Sequence, residues 1–106
     1  MIHITGEHKV WPKSVEVQGH YGSDCSIFPI GFKGPRDDNP AARKKAIKRH
    51  TEWNSIEIIS QDGTITSLLN GEKIAECGPY EIKEGAIGFQ SEGGEIHFRN
   101  LRIKEL

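Results

Sequence analysis

A chain of 106 residues has room for a single domain with one hydrophobic core. Only 35% of the residues are hydrophobic, and 12 glycines and 5 prolines accompany them, so we expect a thin core and many turns. The formal net charge of -1 excludes a global field that steers the chain toward nucleic acid or an anionic membrane surface. We therefore predict no nucleic-acid partner and no membrane partner.

The cellular compartment is not determined by any signal in this chain. A signal peptide needs an unbroken apolar run after a basic leader, and the polar residues 5–8 interrupt any such run. The compartment is therefore left open, and the cytoplasm is the expectation for the chain as it stands. Cys25 and Cys77 lack a spacing motif, and we favour free thiols over a disulfide because nothing else indicates an oxidising compartment.

The first clear strand signal is the alternation between Lys13 and Tyr21. Val15 and Val17 lie on one face, and the other face is polar, with Ser14, Glu16, Gln18 and His20. Residues 26–31 are predicted as a neighbouring strand. Pro29 limits that strand, because proline cannot donate to a sheet ladder.

Between residues 33 and 50 the strand pattern stops and a helix signal begins. Asn39 is a suitable N-cap, Pro40 suits the first helical position, and residues 41–48 follow as the helix body. We predict one short helix in a long loop. The lysines and arginines of this stretch are interpreted as solvent-exposed side chains. The alternative is that they bind phosphate or an acidic ligand.

Tight-turn dipeptides divide the second half into short strands. Asp-Gly at 62–63 and Asn-Gly at 70–71 favour the positive φ angles of hairpin turns. Residues 55–60, 64–69 and 72–77 are therefore predicted as a three-stranded antiparallel meander. A further hairpin is predicted over residues 85–90 and 95–104, joined through Gly93-Gly94.

The last predicted strand carries an irregularity. Apolar residues occupy even positions up to Phe98 and odd positions from Leu101 onward, so the alternation breaks between them. We predict a bulge near Arg99 and Asn100, which would re-aim Arg99 at the rim of a binding face. An edge twist is the alternative.

Ordered phrases along the chain resemble the 3-keto-disaccharide hydrolase family. They are Trp-Pro-Lys-Ser-Val-Glu-Val-Gln-Gly at 11–19, Glu-Trp-Asn at 52–54, Asn-Gly at 70–71, Gly-Phe-Gln-Ser-Glu-Gly-Gly at 88–94 and Phe-Arg-Asn-Leu-Arg-Ile at 98–103. The resemblance implies an all-β fold, an antiparallel jelly-roll-type β-sandwich of the concanavalin or glucanase kind. One such domain would span residues 1–106, with the short helix in the loop over residues 33–50.

The resemblance covers only the C-terminal half of a typical family domain. A jelly roll without its opening strands exposes apolar faces and open sheet edges, which favour association. We therefore expect a homodimer in which each subunit completes the sandwich of the other. The alternative is that the chain is a fragment of a longer gene product.

The resemblance also implies a chemistry, namely cleavage of a glycoside whose C3 hydroxyl has been oxidised to a ketone. The ketone acidifies the C2 proton, so a base and a group that stabilises the enolate can expel the C1 substituent. Glu16 or His20 is the candidate base, and Arg99 or a bound divalent metal is the candidate electrophile. The candidate saccharide-binding residues are Gln18, Trp53, Gln90 and Glu92.

Two alternatives qualify this hypothesis. The polar face around Glu16 also suits an ordinary solvent-facing strand, and Trp11 and Trp53 are more typical of core packing than of sugar stacking. A non-catalytic binding or interaction module is therefore the competing function. No zinc-type spacing joins the five histidines, so no metal or other cofactor is predicted, although a weak divalent-cation site on the polar face stays open.

Overall fold

Two antiparallel three-stranded sheets form the fold of residues 1–7, 9 and 11–106, which are the residues that the computed structural model describes. The first sheet has the order β1 (Ile2–Thr5), β2 (Lys13–Val17), β3 (Ile27–Ile30). The second has the order β4 (Ile56–Gln61), β5 (Thr64–Leu69), β6 (Glu72–Cys77), and α1 (Pro40–Ala46) lies in the connection between the sheets. This arrangement confirms the antiparallel β-sandwich with a short helix that the sequence predicts.

Apolar side chains from both sheets form the main core. The first sheet contributes Ile2, Val15 and Ile27, the second contributes Ile65 and Ala75, and Tyr80 joins them from the segment after β6. Ile2 and Val15 are paired across β1 and β2, so their side chains point to the same side of the sheet. A second cluster of Cys25, Leu69 and Ile74 lies against α1.

Both hairpin turns of the second sheet adopt the backbone conformation that their dipeptides favour. The φ angles are 51° and 84° at Asp62 and Gly63, and 50° and 87° at Asn70 and Gly71. Two successive residues with positive φ are characteristic of a type I′ turn, whose twist matches that of the flanking strands. The predicted meander over residues 55–77 is thereby confirmed.

We expect Gly63→Ala to destabilise the fold far more than Gly71→Ala does. The φ angles of the two glycines are nearly equal, so both variants bear the same cost of about 1 kcal/mol for a left-handed alanine. A Cβ at position 63 would lie 2.6 Å from the carbonyl oxygen of Tyr80, whereas at position 71 it meets no atom within 4 Å. Urea unfolding of both variants measures the difference, and equal losses would contradict the close packing at Tyr80.

The helix begins as predicted, but one of its cations is not solvated. Asn39 caps the helix by accepting a hydrogen bond of 3.0 Å from the Ala42 N–H, and Pro40 follows it. Arg43 is buried, its Nε donates to the Asp24 carbonyl at 2.9 Å, and its guanidinium pairs with Asp38. Arg43 therefore ties the helix to the loop after β2 and is a structural residue.

The strand predicted over residues 13–21 is shorter than expected. Gln18 still continues the ladder, since its N–H donates to the Ser26 carbonyl and its carbonyl accepts from the Cys25 N–H. Beyond it the chain turns, and the Ser23 N–H donates to the His20 carbonyl at 2.9 Å. The prediction that His20 shares a strand face with Glu16 is therefore wrong.

Strand β1 is not among the predicted strands, and a register shift between Ile2 and Thr5 interrupts its pairing with β2. His3 lies at this shift with a φ of 54° and is buried. Its Nδ1 lies 2.9 Å from the Ile82 carbonyl oxygen and its Nε2 lies 2.9 Å from Ser60 Oγ. Because a carbonyl only accepts, Nδ1 carries the proton, and Nε2 accepts from the Ser60 hydroxyl. His3 thus joins the first sheet to β4.

The hairpin predicted over residues 85–90 and 95–104 is not formed. Ile4 and Ala86 exchange two backbone hydrogen bonds of 3.0 and 3.1 Å, and Gly88 exchanges two of the same lengths with Met1. Residues 86–88 therefore run along the free edge of β1. Their backbone N–H and C=O groups are paired with that edge and are not available for the predicted hairpin. Residues 95–104 contain no strand, so the predicted bulge at Arg99 and Asn100 is also wrong.

The two cysteines are free thiols, as predicted. Cys25 lies in the core, where burial raises the pKa of its thiol to about 12, with the Asp24 carboxylate adding to the rise. Cys77 is half-buried, and its Sγ lies 3.0 Å from the hydroxyl of Tyr80. Among the described residues, no helix has the length and apolar character needed to cross a membrane.

Apolar side chains remain exposed on β4 and along residues 87–106. Ile56 and Ile58 are paired with Leu69 and Ser67, which face the interior, yet both isoleucines are exposed. The final segment exposes a further set, namely Ile87, Phe89, Ile96, Phe98, Leu101, Ile103 and Leu106. Contiguous exposed apolar surface favours association, and the expected homodimer stays a prediction.

We expect Ile58→Lys to convert the expected dimer into a monomer. Ile58 lies on the core-facing side of β4 but is exposed in the single chain, so a lysine there would place a charge in the surface that a second subunit would cover. Glu57→Lys is the matched control, since Glu57 lies on the opposite face of the same strand. Light scattering coupled to size-exclusion chromatography over a concentration series reports the mass. A parent chain that stays monomeric throughout the series would contradict the homodimer.

Candidate functional site

An open cavity of about 360 Å³ lies beside the first sheet. One side is lined by Met1, Ile4, Lys9, Trp11 and Pro12, and the other by residues 88–92. The hydrogen bonds between residues 86–88 and β1 position this second side, and they bring Gln90 and Glu92 to the cavity. Two of the four predicted saccharide-binding residues therefore lie together.

Glu16 does not itself line this cavity, but it interacts electrostatically with two residues that do. Val15 points into the core, so alternation along β2 turns Glu16 to the outer side of the sheet. Its side chain is nevertheless only 4% exposed. Burial raises the pKa of Glu16; the amino group of Met1 opposes this rise, and the carboxylate of Glu92 adds to it. Met1 and Glu92 both line the cavity.

One oxygen of the Glu16 carboxylate, Oε2, is buried and finds no hydrogen-bond partner among the described residues. Most buried polar atoms in proteins are paired, because an unpaired one loses its water without replacement. Burying an ionised carboxylate without a partner costs more free energy than burying a neutral polar atom. The arrangement leaves an unpaired acceptor close to Met1 and Glu92, which line the cavity.

The rest of the predicted polar face is not assembled around Glu16. Ser14 is buried and its hydroxyl donates to the Pro12 carbonyl at 2.9 Å. Gln18 accepts a hydrogen bond of 3.1 Å from the Gly19 N–H, and His20 is exposed in the following turn. Like Glu16, neither Gln18 nor His20 is among the residues that line the cavity in the described part of the chain.

Two other predicted site residues meet on a different part of the surface. The guanidinium of Arg99 lies 4.0 Å from the centre of the Trp53 ring, a cation–π contact. Trp53 is 45% exposed and Trp11 is 49% exposed, so the expectation that they pack in the core is wrong. Phe89, which lines the cavity, contacts Phe98 with ring centres 4.9 Å apart. The segment that holds Arg99 therefore begins at the cavity.

Asparagine side chains hold the loop that carries Trp53. The Lys48 N–H donates to Asn54 Oδ1 at 2.9 Å, and Asn70 Nδ2 donates to the same oxygen at 2.9 Å. Asn70 also donates to the Ala46 carbonyl at 2.8 Å and accepts from the Ser55 N–H at 2.8 Å. The hairpin turn at residues 70–71 thus fixes both ends of the loop.

Several of the residues that line the cavity could not be predicted from a sequence motif. Met1, Ile4 and Lys9 belong to a stretch without a recognisable motif, and only the edge pairing of residues 86–88 places them opposite Gln90. Trp11 begins one of the family-like phrases and was identifiable on that ground. Three or more His, Cys, Asp or Glu side chains placed to hold a metal ion are not found in the described part of the chain, and His8 lies outside it.

Comparison with known proteins identifies the family. A family model described as the 3-keto-alpha-glucoside-1,2-lyase-like domain matches residues 1–104. No curated protein and no solved structure matches the chain. The matched range contains Glu16, all the residues that line the cavity, and the pair of Trp53 and Arg99. The chain therefore belongs to the 3-keto-alpha-glucoside-1,2-lyase-like domain family, as the phrases at residues 11–19 and 88–103 imply.

Proposed function

We propose that the domain binds a 3-keto-glycoside in the cavity beside Glu16 and eliminates its C1 substituent. The observation that carries the proposal is the buried Oε2 of Glu16, which has no hydrogen-bond partner among the described residues and lies close to Met1 and Glu92 of the cavity. The raised pKa makes the ionised carboxylate a stronger base than an exposed glutamate. The family match supplies the substrate class.

In the proposed reaction Glu16 accepts the C2 proton of the sugar. The electron pair of the C2–H bond forms an enolate with the C3 ketone, and its return forms a C1–C2 double bond as the C1–O bond breaks. The leaving oxygen then takes a proton. The product is an unsaturated 3-keto sugar, and no oxidant is consumed.

Other cavity residues have roles that follow from their chemistry. Lys9 is a cation that lines the cavity, so it is better placed than Arg99 to stabilise the enolate oxygen. Gln90 and Glu92 offer hydrogen bonds to sugar hydroxyls, and the exposed ring of Trp11 offers an apolar face to the sugar.

Turnover of an aryl 3-keto-glucoside by the purified chain tests the proposal, with the unoxidised aryl glucoside as the matched control. We expect aryl release from the keto compound alone, together with the ultraviolet absorbance of the conjugated product. Parallel assays with and without a divalent cation test whether a bound metal ion is needed to stabilise the enolate. A folded chain that releases no aryl group under either condition would contradict catalysis.

A non-catalytic saccharide-binding module is the second candidate function. It is favoured by one observation: neither His20 nor Arg99 lines the cavity, and Arg99 stacks on Trp53, so the expected catalytic side chains are not brought together with Glu16. This candidate predicts binding of the 3-keto-glucoside, measured by calorimetry, without any aryl release.

A further inference from the structure

A second exposed surface surrounds the loop between α1 and β4, and none of its residues is among those that line the cavity. We call it the loop surface, and its members share exposure and either an aromatic ring or a basic group: Tyr21, Lys48, Arg49, His50, Trp53 and Arg99. Four of them come from one loop, whereas Tyr21 and Arg99 arrive from distant parts of the chain.

The loop surface is held in place by a frame of hydrogen bonds. Lys48 and Asn54 are joined as described above, and Asn54 Nδ2 also lies 3.5 Å from the carbonyl oxygens of Arg49 and Glu52. The Tyr21 hydroxyl donates to the Lys48 carbonyl at 3.0 Å, and its ring meets that of His50 edge to face with centres 5.7 Å apart. A fixed backbone lowers the ordering entropy that a ligand must offset.

Within the described residues, the cations of this surface form no ion pair with a carboxylate. Three ion pairs are found in the described part of the chain, and none of them involves Lys48, Arg49 or Arg99. Lys44 and Lys45 in the last turn of α1 are exposed as well, so cations outnumber Glu52, the carboxylate of this loop, although the whole chain has a net charge of -1. An anionic ligand offsets this local excess of positive charge.

Exposed aromatic rings next to unpaired cations suit a ligand that combines apolar ring faces with negative charge. We propose that the loop surface binds an anionic saccharide, a sugar chain that carries carboxylate, sulfate or phosphate groups. The choice of a saccharide rests on the proposed function. A nucleic acid would use the same cations, so it is compared directly in the test below.

Binding of a sulfated oligosaccharide, followed by tryptophan fluorescence, tests this proposal. The neutral oligosaccharide of equal length is the ligand control. The double variant Lys48→Gln/Arg49→Gln is expected to bind about tenfold more weakly than the parent, as the loss of two exposed charge contacts allows. Lys83→Gln/Lys104→Gln removes two exposed cations elsewhere and is expected to leave affinity unchanged. Affinity for the parent should fall as salt rises.

Three outcomes would overturn the proposal: equal affinity for the neutral and sulfated ligands, undiminished binding by the Lys48/Arg49 double variant, or tighter binding of single-stranded DNA of the same charge. The assay uses an unoxidised sugar and is repeated with Glu16→Gln, so a failure of catalysis does not affect it. Conversely, the double variant should retain turnover of a neutral aryl 3-keto-glucoside, which separates a failed loop surface from a failed active site.

Discussion

Glu16→Gln is expected to abolish turnover of an aryl 3-keto-glucoside and at the same time to stabilise the fold at neutral pH. Loss of a general base lowers the rate by about a hundredfold or more. The gain in stability follows from burial, because Glu16 has an oxygen without a hydrogen-bond partner. Removing the charge is expected to raise the free energy of unfolding by about 1 kcal/mol, the lower end of the cost of such a group.

The pH dependence of this gain has a defined sign. The pKa of Glu16 in the folded chain lies above its ordinary value of 4.5, so between these two values the folded chain binds more protons than the unfolded chain. Stability of the parent therefore falls as the pH rises through that window, and the full penalty is present above it. At pH values below 4.5 both states are protonated, and the variant loses its advantage.

Urea unfolding of parent and variant at neutral and acid pH measures this difference, and an aryl-release assay measures the rate. Glu57→Gln, at an exposed position of β4, is the control and should change neither quantity. Unchanged turnover in Glu16→Gln would exclude Glu16 as the base. A variant that is less stable than the parent at neutral pH would show that the carboxylate has a partner.

Asn70→Ala is expected to lower the free energy of unfolding by about 3 kcal/mol, because three hydrogen bonds of its side chain are worth about 1 kcal/mol each. Those bonds reach the Ala46 carbonyl, Asn54 Oδ1 and the Ser55 N–H at 2.8 to 2.9 Å. They connect the end of α1, the loop that carries Trp53 and the start of β4. The φ of 50° adds to the loss, since alanine disfavours it.

Two further substitutions separate these contributions. Asn70→Gly removes the side chain but tolerates the positive φ, so its loss isolates the hydrogen bonds. Asn70→Asp keeps the acceptor for Ser55 and loses the two donors, so an intermediate loss is expected. Chemical unfolding followed by tryptophan fluorescence compares the three variants. Stabilities close to that of the parent in both Asn70→Ala and Asn70→Gly would contradict the role of Asn70 as a connector.

The elements that were predicted correctly are those whose causes are local. Asp62-Gly63 and Asn70-Gly71 determine their own positive φ angles, so the meander from β4 to β6 follows from neighbouring residues alone. Asn39 and Pro40 specify the start of α1 in the same way. Candidate site residues were found within the family-like segments. Gln90 and Glu92 line the cavity near Glu16, and Trp53 and Arg99 meet on the loop surface.

The sequence by itself therefore determined the β-sandwich class, the hairpin turns, the helix start and the identity of the charged and aromatic groups available for chemistry. Only the tertiary structure decided where the edge of β1 finds its partner, since residues 86–88 compete for hydrogen bonds that a local hairpin would otherwise use. That distant pairing places Glu92 and the cavity against Glu16. The burial of the Glu16 carboxylate, and with it the raised pKa, depends on chain segments far apart in sequence, which no local pattern encodes.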